Sequence, residues 1–385
     1  MTTFSKAELE RYSRHLILPE FNIEGQRMLK HGSVLVIGSG GLGSPLLLYL
    51  AAAGVGRIGI VDFDRVDDSN LQRQVLFTVD DVGTPKVEAA AARLRALNPH
   101  IEIEVHDVQF TRENARELVR QYDVVADGTD NFPTRYLVND ACVLEEKVNV
   151  YASIYRFEGQ CSVFNAPLEG GERGPNYRDL FPSPPPPGLV PSCAEGGVLG
   201  VLPGILGSLQ ALEVIKVLSV VGEPLVGRLF LFDATTFTTR TLKIRKQPGN
   251  PLTGERPTQT DLIHYEEFCG VGAPAAEAVV SREVTAKGLA QWQADGKAHV
   301  VIDVREPYEY AIANLGGELV PLDTLSESLH RIPRDLPVVV HCRSGVRSAR
   351  AIALLEAEHG YGNLHNLKGG ILAWQASVDP ELARY

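Results

Sequence analysis

Two stretches of the chain combine residue types and spacing that can do chemistry. The first is Ser33-Val-Leu-Val-Ile-Gly38-Ser-Gly40-Gly41-Leu-Gly43, followed by an apolar helix that carries Tyr49 and ends near Gly54. An apolar strand feeding glycines at 38, 40 and 43 lets the backbone turn tightly, approach a phosphate closely and pack the next helix against the strand. The start of that helix offers unpaired N–H groups to an anion. A second strand, Arg57-Ile-Gly-Ile-Val-Asp62, ends in an acid about twenty residues further on, where a ribose hydroxyl would be read. The other stretch is Val338-Val-Val-His341-Cys342-Arg343-Ser344-Gly345-Val346-Arg347-Ser348, a strand, a loop and the start of a helix. Backbone N–H groups curled around Cys342, the helix N-terminus, Arg343 and Arg347 all favour a thiolate or persulfide anion.

The glycine turn alone also suits a nicotinamide-dependent redox enzyme. Further charges separate the two readings: Asp64, then Asp67-Asp68-Ser69-Asn70-Leu-Gln-Arg73-Gln74, then Gly83-Thr-Pro-Lys86 opening a helix, and Asp127-Gly-Thr-Asp130-Asn131 after another strand. A redox site needs few fixed charges near the reactive ring, whereas a triphosphate needs cations and a carboxylate to hold magnesium. Arg73, Lys86 and Asp130 supply that set, although an acid or asparagine at 130–131 also serves as an ordinary helix cap.

On these motifs, which run from Arg11 to about Lys243, the chain resembles the MoeB/ThiF type of enzyme that adenylates small ubiquitin-like sulfur carriers. The resemblance implies a Rossmann-like, mostly parallel sheet and a nucleotide site made of Gly41, Asp62, Ser69, Asn70, Arg73, Lys86, Asp130 and Asn131. In it Arg73 is catalytic and Asp130 holds the magnesium that accompanies ATP. It also implies that Arg14, in Arg11-Tyr-Ser-Arg14-His15, reaches the nucleotide phosphates of the other protomer of a homodimer. Taken alone, that arginine is a solvated residue on an amphipathic face.

Five cysteines without a disulfide spacing suit a reducing compartment. Cys142 in a helix, Cys161 in a strand and Cys269 in a connecting segment read as small buried or incidental thiols. Cys193, in Val190-Pro-Ser-Cys193-Ala-Glu-Gly-Gly197, follows the stiff run Phe181-Pro-Ser-Pro-Pro-Pro-Pro-Gly188, which looks like the start of a crossover loop. Its position matches the family's reactive cysteine, a nucleophile that forms a thioester or resolves an acyl disulfide. In one respect the chain departs from the family. Many relatives bind structural zinc through paired cysteines in the segments that here read Asn176-Tyr-Arg-Asp179 and, after Lys243, around Asn250, where no cysteine or histidine cluster stands. No structural zinc is expected.

Four residues separate Cys342 from Arg347, one fewer than in a tyrosine-phosphatase-like loop, which makes a tighter cradle suited to sulfur. With Val300-Val-Ile-Asp303-Val-Arg305-Glu-Pro307 and Gly369-Gly370-Ile-Leu-Ala-Trp374, this region looks like a rhodanese-type sulfurtransferase domain. The sulfur loop is then Arg343, Ser344, Gly345, Val346 and Arg347 around Cys342. His341 reads as a strand-end packing residue.

The elements that must position these groups follow from the periodicity. Strands and helices alternate from residue 33 to about 144, which implies crossover helices and ligands at the carboxyl ends of the strands. The 385 residues make two or three domains by a soft prior of roughly 100–200 residues each. The boundaries are an adenylating domain at 1–246, a linker at 247–278, where Gln247-Pro-Gly-Asn-Pro-Leu-Thr-Gly-Glu-Arg-Pro257 breaks the pattern, and a smaller α/β domain at 279–385. Ser5 and Glu8 form a capping box. A formal charge of −11 argues against a general nucleic-acid or anionic-membrane surface. No secretory signal is visible, and the apolar run Val198 to Val221 is interrupted by Pro203, Gln210, Glu213 and Lys216. The expectation is a soluble, cytoplasmic enzyme.

Taken together, the motifs imply ATP-dependent adenylation of the C-terminal carboxylate of a MoaD/ThiS-type carrier, then persulfide-based transfer from Cys342 to give a thiocarboxylate. A cysteine desulfurase or thiosulfate would donate the sulfur. The competing readings are a noncatalytic carrier-binding scaffold and a nicotinamide-dependent redox enzyme.

Overall fold

The computed structural model describes residues 4–185, 196–270 and 282–385, and the chain divides into two units, Met1–Gly272 and Ala273–Tyr385. In the first unit β1 (Ser33–Ile37) lies between β2 (Arg57–Val61) and β4 (Val124–Asp127), with β3 (Glu102–His106) beyond β2 and β5 (Val148–Tyr155) beyond β4. These five strands are parallel. The sheet continues antiparallel through β6 (Glu158–Phe164), β7 (Arg228–Asp233) and the exposed edge strand β8 (Thr238–Lys243), whose Arg240 and Lys243 put charge on that edge.

Every residue of β1 is buried because helices cover both faces. Val34 and Val36 face a core shared with the helices Gly43–Ala53, Lys86–Leu97 and Val201–Ser219, while Leu35 and Ile37 face the helices Ala115–Arg120 and Phe132–Leu144. The period of two along the strand thus feeds two cores at once.

Val201–Ser219 is long and apolar enough, by length and composition, to cross a membrane. Its polar residues show where it sits. Buried Gln210 donates to the carbonyls of Asp127 and Val150, each at 2.8 Å, and the Glu213 carboxylate accepts from Leu225 N at 2.7 Å. The helix therefore packs against β4 and β5 as a core element.

The stretch read as a linker differs from that expectation over its first part. Leu262, Tyr265 and Cys269 are buried in the core beside the helix Phe132–Leu144, and a short helix forms at Tyr265–Phe268. Gln259 Nε2 and Tyr265 Oη donate to Asp140 Oδ2 at 2.7 and 2.8 Å. The buried residues Leu262, Tyr265 and Cys269 recur at steps of three and four, a helical spacing too short to stand out beside the prolines and glycines that precede it.

Asp140 also takes both arms of buried Arg178, at 2.9 and 2.7 Å. Next to it, the segments around Asn176 and Asn250 are joined by hydrogen bonds. Asn250 Nδ2 donates to Asn176 Oδ1 at 3.2 Å, Asn176 Nδ2 to Thr253 Oγ1 at 3.0 Å, and Gln247 N to Asp179 Oδ1 at 2.8 Å.

The second unit is a five-stranded parallel sheet in the order β11 (Glu318–Leu319), β10 (Val300–Asp303), β12 (Val338–His341), β13 (Leu364–Leu367), β9 (Glu283–Val284). Alternation again splits the central strand. Val338 and Val340 pack with Ile352 and Leu355 of the helix Val346–His359, and Val339 with Leu289 and Trp374 on the opposite face.

Candidate functional site

The strand order reverses between β1 and β4, so their carboxyl ends leave a crevice at the sheet's switch point. Two interlocked turns form its floor. Gly38 N donates to Val61 O at 2.8 Å, and Gly128 N to Ile37 O at 2.9 Å. Gly38 has a φ of +89°, and a Cβ on Gly43 would lie 2.0 Å from the Gly38 carbonyl oxygen, so the helix packs this closely only because residue 43 has no side chain.

Over this floor lies a cavity of about 470 Å³ whose lining includes Gly41, Asp62, Arg73, Lys86, Asp130 and Asn131. Asp62 Oδ2 accepts from Ser39 N and Ser39 Oγ, both at 2.8 Å, which holds the carboxylate against the turn. Lys86 Nζ lies 2.9 Å from Asp64 Oδ2 with its own side chain only 7% exposed. Arg73 Nη1 donates to the Ser69 carbonyl at 3.1 Å. The helix cap falls to Asn131, whose Oδ1 accepts from Thr134 N at 3.0 Å, and Asp130 makes no hydrogen bond or ion pair among the described residues. Beneath the cavity Asp127 and Arg135 are buried, and burial pushes the Asp127 carboxyl up from its ordinary value.

Ser69 and Asn70 do not line the cavity. They form a short turn capped by Asp67, whose carbonyls hold Arg73 in place: Arg73 N donates to Asn70 O at 3.0 Å. Arg14 is exposed on the short helix Ser13–Leu16 and does not line this chain's own cavity. Cys193 lies outside the described residues. No local pattern marks Asp64 as the partner of Lys86, twenty-two positions away, or Arg135 as a residue of the cavity lining.

Oxygen ligands suit magnesium. Among the described residues no three His, Cys, Asp or Glu side chains converge as a metal-binding group. A cation here would therefore rest on one or two carboxylates and complete its shell with phosphate oxygens, which is the way magnesium is usually held beside nucleotides. The unengaged Asp130 carboxylate fits that role.

In the second unit Cys342 follows β12 and is fully buried. Its Sγ accepts from Gly345 N at 3.1 Å and lies 3.5 Å from Ser348 Oγ. Gly345, at φ +96°, turns the loop into the helix Val346–His359. Neither arginine donates to the sulfur. Arg347 makes a two-armed pair with Glu309 at 2.6 and 2.7 Å, which holds that carboxyl below its ordinary value against the burial that opposes it. Arg343 Nε donates to the Tyr385 carbonyl at 2.9 Å. The anion-favouring groups at the sulfur are therefore a backbone N–H, a hydroxyl and the helix N-terminus. Val346 and Ser344 point outward, exposed.

Below the loop, Arg305 grips Asp303 and also donates to the Tyr385 hydroxyl. His341 Nε2 lies 3.5 Å from Asp303 Oδ2, an arrangement that favours a charged imidazole. Burial outweighs it, because the Asp303 charge is already matched by Arg305. The imidazole pKa falls to about 4.

Residues 12–252 match the ThiF family and residues 285–377 the rhodanese-like domain. The chain is 48% identical over 388 residues to the probable adenylyltransferase/sulfurtransferase MoeZ of Mycobacterium tuberculosis, covering 100% of this chain and 97% of that one. It is 56% identical over 268 residues to the sulfur carrier protein adenylyltransferase of Thermus thermophilus, covering 70% of this chain and 99% of that one. Among solved structures, E. coli MccB with ATP matches at a TM-score of 0.52 and 24% identity, covering 63% of this chain and 74% of that one, a likeness of fold alone.

Proposed function

This chain belongs to the ThiF family and is an enzyme of the adenylyltransferase and sulfurtransferase kind, and from that premise we propose that it activates a small ubiquitin-like sulfur-carrier protein with ATP and converts the carrier's C-terminal carboxylate to a thiocarboxylate. The observation that carries the reading is the pairing of opposite charges in one cavity: the cations Arg73 and Lys86 stand with the carboxylates Asp62 and Asp130 over a glycine turn.

The glycine turn and helix start bind the triphosphate, Asp62 holds the ribose, and Arg73 and Lys86 neutralise phosphate charge as the carrier carboxylate attacks the α-phosphate and pyrophosphate leaves. Lys86 exchanges its Asp64 partner for phosphate oxygens. Asp130 would hold a magnesium ion, which when bound would supply Lewis-acid stabilisation of the phosphate charge. Arg14 acts at the site of the other protomer in a homodimer.

In the second half of the reaction, a persulfide on Cys342, loaded by a cysteine desulfurase or thiosulfate, attacks the acyl-adenylate and releases AMP. The product is an acyl disulfide to Cys342. Cys193 then attacks the Cys342 sulfur, leaving the carrier thiocarboxylate and a disulfide between the two cysteines.

The test is pyrophosphate exchange into ATP by the full chain with a cognate carrier and magnesium. Wild type exchanges. Asp130→Ala falls by about a hundredfold or more, the scale for losing one preorganised charge-stabilising group, while its melting curve is unchanged. Unimpaired exchange in that folded variant removes Asp130 from the reaction.

A further inference from the structure

The nucleotide cavity has a wall that the nucleotide motifs do not supply. Glu266, on the short helix Tyr265–Phe268, lines it together with Val108, Gln109, Phe110 and Pro133. That helix comes from the stretch that reads as a linker, yet it is fixed from several sides. Tyr265 Oη donates to Asp140 on the helix Phe132–Leu144 at 2.8 Å, the rings of Phe268 and Tyr136 meet edge to face at 5.1 Å, and Arg116 pairs with Asp261 at 3.2 Å. Glu266 itself makes no hydrogen bond or ion pair to another described residue. An exposed carboxylate on an anchored helix thus borders the cavity with its acceptor oxygens unused among the described residues.

The position of a carboxylate in a site for a polyanion is constrained by charge. Arg73 and Lys86 mark one end, where phosphates are tolerated, and Asp62 marks the ribose. Glu266 would repel phosphates, and the same lining carries Val108, Phe110 and Pro133, apolar groups that suit the flat face of a base. We propose that Glu266 is a specificity-determining residue that accepts a hydrogen bond from the exocyclic amine of the adenine ring. The segment between the two catalytic units then completes the base pocket of the first. This deepens the ATP reading above and rests on it.

A substrate lacking only that amine isolates the contact. Binding of ATP and of purine riboside 5′-triphosphate, each with magnesium, is measured by calorimetry on the full chain and on Glu266→Ala and Glu266→Gln. No carrier is needed. Wild type prefers ATP by about tenfold, the worth of a hydrogen bond to a charged acceptor at a partly open site. Glu266→Ala binds the two nucleotides equally, and Glu266→Gln, which keeps a neutral acceptor, falls between. Removing a negative charge near a polyanion raises both affinities alike, so the ratio reports the amine alone. Melting curves confirm that the variants fold. An undiminished ATP preference in Glu266→Ala, or no preference in wild type, overturns the assignment of Glu266 while leaving the nucleotide site standing. Failure of wild type to bind either nucleotide overturns both.

Discussion

The nucleotide cavity and the sulfur loop share one plan, a buried parallel strand running into a tight turn and a helix N-terminus, and they differ in what the plan leaves open. At β1 the turn faces a cavity of about 470 Å³ bordered by charged side chains. At β12 the turn closes on one sulfur atom, and the arginines beside it are paired away, Arg347 with Glu309 and Arg343 with Tyr385. The same backbone device therefore serves two payloads. A triphosphate brings several charges and needs counter-charges from side chains, whereas one sulfur anion is accommodated by a backbone N–H, a hydroxyl and a helix end.

If that difference is a division of labour, Cys342→Ala gives the largest effect and confines it to one half. Sulfur loading and thiocarboxylate formation are lost, and pyrophosphate exchange stays at the wild-type rate. Loss of exchange in the folded variant breaks the comparison. Exchange and loading are read on the same preparation, by radiolabel and by mass.

The second unit's buried charges give a smaller effect that depends on pH. His341 has a folded pKa of about 4 against an ordinary 6.5, depressed first by burial and then by Arg305, with Asp303 opposing. Its neutral form contributes stability that is present above about pH 6.5 and is lost as pH falls toward 4, because the unfolded chain takes up the proton first. The loss reaches up to about 3 kcal/mol. Denaturant melts of wild type and His341→Gln between these limits measure it. Identical pH profiles for the two proteins would mean that His341 carries none of the dependence.

The smallest expected effect concerns the first unit. Asn176, Asp179, Asn250 and Thr253 tie together the segments in which the family resemblance would place zinc cysteines. A chelator should leave the melting temperature unchanged and elemental analysis should find no stoichiometric zinc, while Asn176→Ala costs about 1–2 kcal/mol through lost buried hydrogen bonds. One tightly held zinc per chain would contradict this.

The parts of both sites that were legible in the sequence are those set by local spacing. Gly38 and Gly43 mark the turn because their backbone and packing tolerate nothing larger, and Asp62, Lys86 and Asp130 stand at strand or helix ends that periodicity locates. What periodicity misses is pairing between distant positions. Glu309 meets Arg347 across 38 residues and Tyr265 meets Asp140 across 125, and no local pattern marks either partner. The same limit explains the stretch 247–278. Its prolines and glycines break the period, and Leu262, Tyr265 and Cys269 pack against a helix formed far earlier in the chain.

Whether one chain turns a carrier's carboxylate into a thiocarboxylate is read from the intact mass of the carrier. Candidate carriers are incubated with the full chain, ATP, magnesium and a sulfur donor. The expected result is a mass gain equal to the exchange of one oxygen for one sulfur, absent when ATP or the donor is withheld. A carrier that remains unchanged, or that stops at the adenylate with every component present, would contradict it.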